Sequence, residues 1–148
     1  MSYDKNYVPE HIFSKVAGVT MGDKDKNGIP LRQKYLKRIK EQDIKVLRLV
    51  REPDNAFDSD AIAIHSNGFH LGYIKNSTRI CVSCSKEVSR SDTDICKCGG
   101  ILLRKGLAST IAPLMDSGER WGCRVSEVTK SDKNDSFYGC NIILERLD

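Results

Sequence analysis

DIKVLRLVREPDNAFDSDAIAIHSNGFHLGYI, residues 43–74, is the stretch whose reading decides the fold. DIKVLRLVRE (43–52) reads as a strand. PDNAFDSD (53–60) is a turn-rich loop, because Asp, Asn and Ser bond back to their own backbone. AIAIHSNGFHLGYI (61–74) is a hairpin with Asn67-Gly68 at its tip, two residues that accept the positive φ of a tight hairpin turn. Pairing across that turn is expected to set Ile64 opposite Leu71 and Ile62 opposite Tyr73. His65 then falls opposite His70 on the other face.

The flanks extend the same pattern. HIFSKVAGVT (11–20) reads as a first strand, β-branched and broken by Gly18. GDKDKNGIP (22–30) is a loop. Its Asp23, Asp25, Asn27 and Gly28 have calcium-loop offsets, but the twelfth position is Lys34 where a bidentate Glu is needed, so a polar turn is expected. Pro30 opens a helix, and Leu31, Tyr35 and Ile39 recur at i, i+4 and i+8 as its buried stripe. Lys34, Lys37 and Arg38 share a different face. Further on, LASTIAPLMDSG (107–118) is a short helix with Leu107, Ile111, Leu114 and Met115 on one side. Gly118 stops it, and Pro113 is expected to kink or shorten it. RWGCRVSEV (120–128) and YGCNIILERL (138–147) finish as strands. The expected class is mainly β with two helices, a barrel carrying a small insert. The expected division is a barrel formed by 1–78 and 106–148, interrupted at 79–105.

The 148 residues allow one domain, or one domain with an insert. No apolar run approaches the length of a membrane span, and MSYDKNYVPEHIF has no basic-then-apolar pattern, so neither a membrane partner nor a signal peptide is expected. A reducing cytosol follows as the expected setting for six cysteines. The net charge of +4 is uneven. Residues 31–51 hold eight Lys/Arg against two acids, and residues 52–80 hold four acids against two bases. A basic block of this kind fits an anionic partner, or simply a solvated helix face and strand edge.

CVSCSKEVSRSDTDICKCGG (81–100) holds four cysteines in two close pairs. Cys81 and Cys84 form C-x-x-C, and Cys96 and Cys98 form C-x-C before Gly99-Gly100. Eleven residues separate the pairs, which suits one tetrahedral zinc closing a short loop. The glycines allow a turn that points backbone N–H groups at sulfur. With four cysteines no coordination position is left for water, so the ion would be structural, and its loss would unfold the loop. A redox pair at Cys81/Cys84 and an iron–sulfur cluster are the alternatives; the polar run KEVSRSDTD lacks the helix that a redox C-x-x-C opens. Cys123 and Cys140 fall in strands and read as small buried residues.

Two further clusters bear on chemistry. Glu52, Asp54, Asp58 and Asp60 can hold a divalent metal for phosphoester or acid-anhydride hydrolysis, nuclease fashion, and are equally what a tight turn prefers. His65 and His70 can bind metal across the hairpin, or form an exposed cross-strand pair. No G-x-x-x-x-G-K-[ST] and no G-x-S-x-G occurs. A small-molecule substrate is not expected.

VAGVT (16–20), LRQ (31–33), VLRLVREPDNAFDSDAIAI (46–64), HLGYI (70–74) and LMDSG (114–118) together resemble the HIRAN domain, from about residue 13 to 148 apart from the cysteine insert. The resemblance implies an OB-like β-barrel with helical additions. Such domains occur alone in bacteria and phages and at the N-terminus of eukaryotic helicase-family repair proteins, where one binds the 3′ end of single-stranded DNA. It implies a nucleic-acid partner, DNA favoured, and a helicase, ATPase or nuclease acting in trans in repair or replication. Asn55, Phe57 and Asp58 fall on the end-binding loop, and Tyr73 on a second contact where the eukaryotic domain has a histidine. Phe57 can stack on a terminal base, and Asp58 can accept a hydrogen bond from a free 3′-hydroxyl. Arg32, Lys34, Lys37 and Arg38 are the candidate phosphate contacts. The packing alternative puts Phe57 under its loop, Asp58 as a turn cap and Tyr73 in the core. One departure stands out. The eukaryotic domain has an Arg-Tyr-Tyr run after the first strand's glycine, whereas Gly18 is followed by Val19-Thr20-Met21-Gly22. The insert's Lys86, Arg90, Lys97, Arg104 and Lys105 are candidate replacements. The remaining alternative is a protein-interaction adaptor that docks through the zinc loop.

Overall fold

The computed structural model describes residues 8–89, 94–103, 105–130 and 137–147. Six strands close an antiparallel barrel: β1 (His11–Ala17), β2 (Val46–Arg51), β3 (Ile62–Ser66), β4 (Phe69–Ile74), β7 (Arg120–Lys130) and β8 (Tyr138–Leu147), in the order β1-β4-β3-β2-β7-β8. A two-stranded sheet, β5 (Thr78–Ile80) with β6 (Glu87–Ser89), stands outside it. Helices α1 (Leu31–Gln42) and α2 (Leu107–Asp116) complete the fold. The expected order of elements holds. Among the described residues no helix is long and apolar enough to cross a membrane.

Alternation builds the core. Ile12 and Val16 on β1, Leu47 on β2, Leu71 and Ile74 on β4, and Ile142 and Leu144 on β8 point inward and are buried. The hairpin tip is as expected: Asn67 (φ 49°) and Gly68 (φ 84°) take the two positive-φ positions. The register is not. His65 does face His70, but a bulge follows, so Ile64 faces Gly72 and Ala63 faces Tyr73. The expected Ile64–Leu71 and Ile62–Tyr73 pairs are therefore absent. The bulge inserts one extra residue on β4, which simple counting from the turn misses. Tyr73 consequently leaves the core and reaches the site described below.

Gly72 explains why the barrel can close there. A Cβ at this position would lie 2.2 Å from the backbone oxygen of Ala17. β1 and β4 pair over just two positions, Val16–Ile74 and Ala17–Tyr73, so this short seam depends on that approach. Gly72→Ala should cost about 1–3 kcal/mol through enforced backbone movement. That is read as a drop of several degrees in Tm; an unchanged Tm would show that the seam yields freely.

The helices cap the barrel with a different stripe from the one expected. On α1 the buried residues are Gln33, Leu36 and Ile39, while Leu31 and Tyr35 are half-buried. Tyr35 sits at the rim, stacked on Phe69 with ring centroids 4.1 Å apart. Gln33 is a buried amide with full partners: its Nε2 donates to Val19 O and Tyr138 O, and its Oε1 accepts from Tyr138 N. That arrangement pins α1 to the start of β8 and offsets the cost of burying the amide. Pro30 lies just before α1, as its N-cap residue. On α2, Leu107, Ala108, Ile111 and Ala112 are buried, with Leu114 and Met115 packed at the edge. Pro113 is exposed and the helix runs past it to Asp116, so the expected interruption does not occur. Cys123 and Cys140 are buried in the core, and desolvation pushes both thiols up to about 12.

Candidate functional site

Two sites stand apart from the core. The first is the cysteine cluster. After β5, Cys81 bridges to Leu102, and Leu103 N donates to Ile80 O. These pairings bring the second cysteine pair back over the first. Cys81 Sγ lies 3.5 Å from Cys98 Sγ, and Cys84 Sγ lies 3.8 Å from Cys96 Sγ. All four sulfurs lie within 4.8 Å of one another. Sulfurs at about 2.3 Å from a tetrahedral zinc would be roughly 3.8 Å apart, so the spacing fits. Ser83 N donates to Cys81 Sγ and Gly100 N to Cys98 Sγ, each at 3.4 Å, as the glycine argument expected. A Cβ on Gly100 would lie 2.6 Å from Cys81 Sγ, so only glycine closes the loop this tightly. The cluster can hold a metal ion.

Charge in the cluster is consistent with that role. Burial opposes ionisation of Cys81, but N–H groups of Cys84 and Ser83 and the neighbouring thiols outweigh it, bringing its thiol to about 7. Cys98 accepts from Gly100 N, yet the crowding sulfurs push it up to about 12. One thiolate forms readily and the next is resisted, as expected where like charges crowd. A cation removes that resistance. Cys81 is buried, Cys84 and Cys96 are half-buried and Cys98 is exposed. Ile80 and Leu103, which flank the cluster, belong to the same hydrophobic core as the barrel.

The second site is the 52–60 loop and the barrel wall beneath it. Arg51 braces the loop from below, with Nη1 donating to Ala61 O, Nη2 to Ser59 O, and a two-pronged ion pair to Asp116. That pair holds the Asp116 carboxyl below its ordinary range. Asn55 Oδ1 accepts from the N–H groups of Phe57 and Asp58, and Asn55 Nδ2 donates to Glu52 Oε1. Asp58 Oδ1 accepts from Asp60 N, and Oδ2 accepts from Asn76 Nδ2 at 3.1 Å. Asp58 is therefore a turn cap, as the packing alternative had it. Phe57 is not under its loop: it is 99 % exposed. An unpacked phenyl ring on a braced loop is a surface with nothing to cover it.

Beside the loop, Tyr73 Oη donates to Glu52 Oε1 at 2.9 Å. Burial opposes the Glu52 charge, but the hydrogen bonds from Asn55 and Tyr73 outweigh it and lower its pKa. Burial and Glu52 together raise that of Tyr73. The His70 ring meets Tyr73 edge-on at 4.7 Å and stacks on His65 at 5.0 Å. Arg32 reaches in from α1, donating to Gly18 O and to His70 Nδ1 at 3.2 Å, with its guanidinium 5.9 Å from the Tyr73 ring centre. Burial and then Arg32 lower the His70 pKa, and an Nδ1 that accepts from Arg32 leaves the ring proton on Nε2. Its Nε2–H then donates to Gly72 O.

The expected residues thus separate into groups. Asn55, Phe57 and Asp58 share the loop, and Tyr73 and Arg32 lie together beside Glu52. Lys34 is elsewhere, ion-paired with Asp25 across the turn that resembled a calcium loop. Lys37 faces Glu41 one turn on, and Arg38 lies over Phe69 at the hairpin end. Arg90 and Arg104 lie outside the described residues. Among the described residues, Glu52, Asp54, Asp58 and Asp60 do not converge on one point; the oxygen of Glu52 instead meets His65 and His70 within 4.8 Å. Both His70 nitrogens are engaged and Arg32 stands beside them, which opposes a cation there. The sequence does not mark Glu52, His70, Asn76 and Ser109 as groups that brace this wall, although Ser109 binds Asn76 through both its hydroxyl and its N–H. No local pattern could do so, because the contacts span up to 38 residues.

Fold and sites together define a small closed antiparallel barrel with a four-cysteine cluster able to hold a metal ion and an exposed aromatic beside a polar wall. The chain is similar to the crystal structure of the HIRAN domain of human HLTF, at 16% identity, over 92% of this chain and 74% of that one, with a TM-score of 0.47. This is the family that residues 46–64 and 70–74 resemble. No family model matches the chain, and no curated protein matches it.

Proposed function

We propose that this chain is a non-enzymatic nucleic-acid-binding module that takes the end of a single strand, DNA by preference, and carries one structural zinc ion. In this reading residues 79–105 are an insert in a barrel formed by 1–78 and 106–148. The observation that carries it is Phe57, fully exposed on a loop that hydrogen bonds hold in place. A base of any identity stacks on such a ring. Asp58 keeps unused lone pairs after its two hydrogen bonds, so a terminal 3′-hydroxyl can still donate to it. An internal phosphodiester offers no such proton. Tyr73 and Arg32 line the path beside it. Among the four candidate contacts on α1, Arg32 is the favoured one, because Lys34 already neutralises Asp25. Cys81, Cys84, Cys96 and Cys98 hold the zinc. Service to a larger repair or replication system, with a helicase or nuclease in trans, follows from the HIRAN resemblance. A second reading, the adaptor, has its own observation: Ile95 and Ile101 on the cysteine loop are exposed.

The test is fluorescence anisotropy with labelled single-stranded DNA that ends in a 3′-hydroxyl or a 3′-phosphate. Tighter binding to the hydroxyl, lost in Asp58→Ala, is expected. Equal, salt-sensitive binding to both would make the protein a general strand binder. No binding by folded, zinc-loaded protein would leave the adaptor.

A further inference from the structure

The outer face of the barrel and the cysteine insert enclose a groove of about 520 Å³. Its lining includes Phe13 and Lys15 on β1, Lys75 and Thr78 before and within β5, and Lys86 and Glu87 from the insert. Phe13 is 55 % exposed, although it sits on a strand whose alternate residues fill the core. Among the described residues none of the three lysines pairs with an acid. Glu87 is the one acid in the lining, so the groove has a positive balance. Thr78 is only 7 % exposed, and its Oγ1 has no hydrogen-bond partner. A buried hydroxyl left so is costly unless a ligand or water completes it.

Cations beside an exposed aromatic fit one occupant well: a single nucleic-acid strand, with phosphates on the lysines and a base on the ring. One residue of the groove also adjoins the proposed end site along the chain. Lys75 precedes Asn76, whose amide donates to Asp58. Lys86 is tied to the cysteine loop, since Cys81 N donates to the Lys86 carbonyl. We infer that this groove carries the strand inward from its 3′ end, so that the cysteine insert extends the binding surface as well as stapling the fold. The inference rests on the nucleic-acid reading above.

The experiment compares 3′-hydroxyl oligonucleotides of about 4 and about 16 nucleotides, the ends of the range for barrel-type strand binders. Wild type should bind the longer one more tightly. A Lys15→Glu/Lys86→Glu double variant should lose that gain, keep the short-oligonucleotide affinity and keep its Tm. Its salt slope on the long strand should flatten by about 0.7 for each phosphate that the lysines no longer neutralise. The Lys15→Gln/Lys86→Gln variant should fall between the two. Binding of the short strand with no gain for the long one, or a double variant as tight as wild type, would overturn the groove and leave the end site standing. No binding of either length by wild type would overturn both.

Discussion

Cys84→Ser should yield a protein that no longer holds zinc and melts far below the wild type. The expected scale is large because metal binding at such a loop is folding free energy, roughly 10 kcal/mol for small zinc modules. The loss should not stay in the loop. Cys81 is fully buried, and Ile80 and Leu103 on either side of the cluster pack into the barrel core. Releasing the loop therefore uncovers apolar surface shared with the barrel. Chelation of the wild type should reproduce the variant's melting curve, and metal analysis should return one zinc per chain. An apoprotein that melts like the loaded one would mean that β5, β6 and their pairings hold without the ion. Iron with a visible charge-transfer band would replace zinc by a cluster.

Phe57→Ala should weaken single-strand binding by about tenfold or more and leave Tm unchanged. A stacked base contributes about 1–3 kcal/mol, whereas a ring that is 99 % exposed contributes little to the fold. This separation distinguishes it from neighbouring positions. Asn55→Ala would remove the acceptor of two loop N–H groups, and so would alter shape and binding together. Phe57→Trp should retain or improve affinity, since any large π-face serves. If Phe57→Ala binds as wild type, the exposed ring is not the platform, and the strand must run elsewhere on the surface.

Much of the architecture is legible in the sequence because its signals are local. The Asn67-Gly68 tip states its turn in two residues. The strands alternate, and α1 and α2 show their period. Four cysteines in two close pairs announce a ligand set whatever surrounds them. Local counting fails where tertiary structure intervenes. The bulge between Ile64 and His65 shifts the hairpin register by one residue. The α1 stripe turns toward Leu36 and Gln33 because the barrel end, and not the helix, sets which side is covered. Pro113 is absorbed because it lies on the exposed side.

Sequence by itself determined the order of elements, the hairpin tip and the two cysteine pairs, since each follows from neighbours within a few positions. Tertiary structure alone decided the polar wall. Barrel closure places Ala17 beside Tyr73, which lets Arg32 from α1 reach Gly18 and His70 and brings Tyr73 onto Glu52. The same closure sets β6 against the outside of β1 and opens the lysine groove between them. These contacts join residues far apart in the chain, and their geometry depends on which strands pair and in which register, a property of the closed sheet and of no single segment.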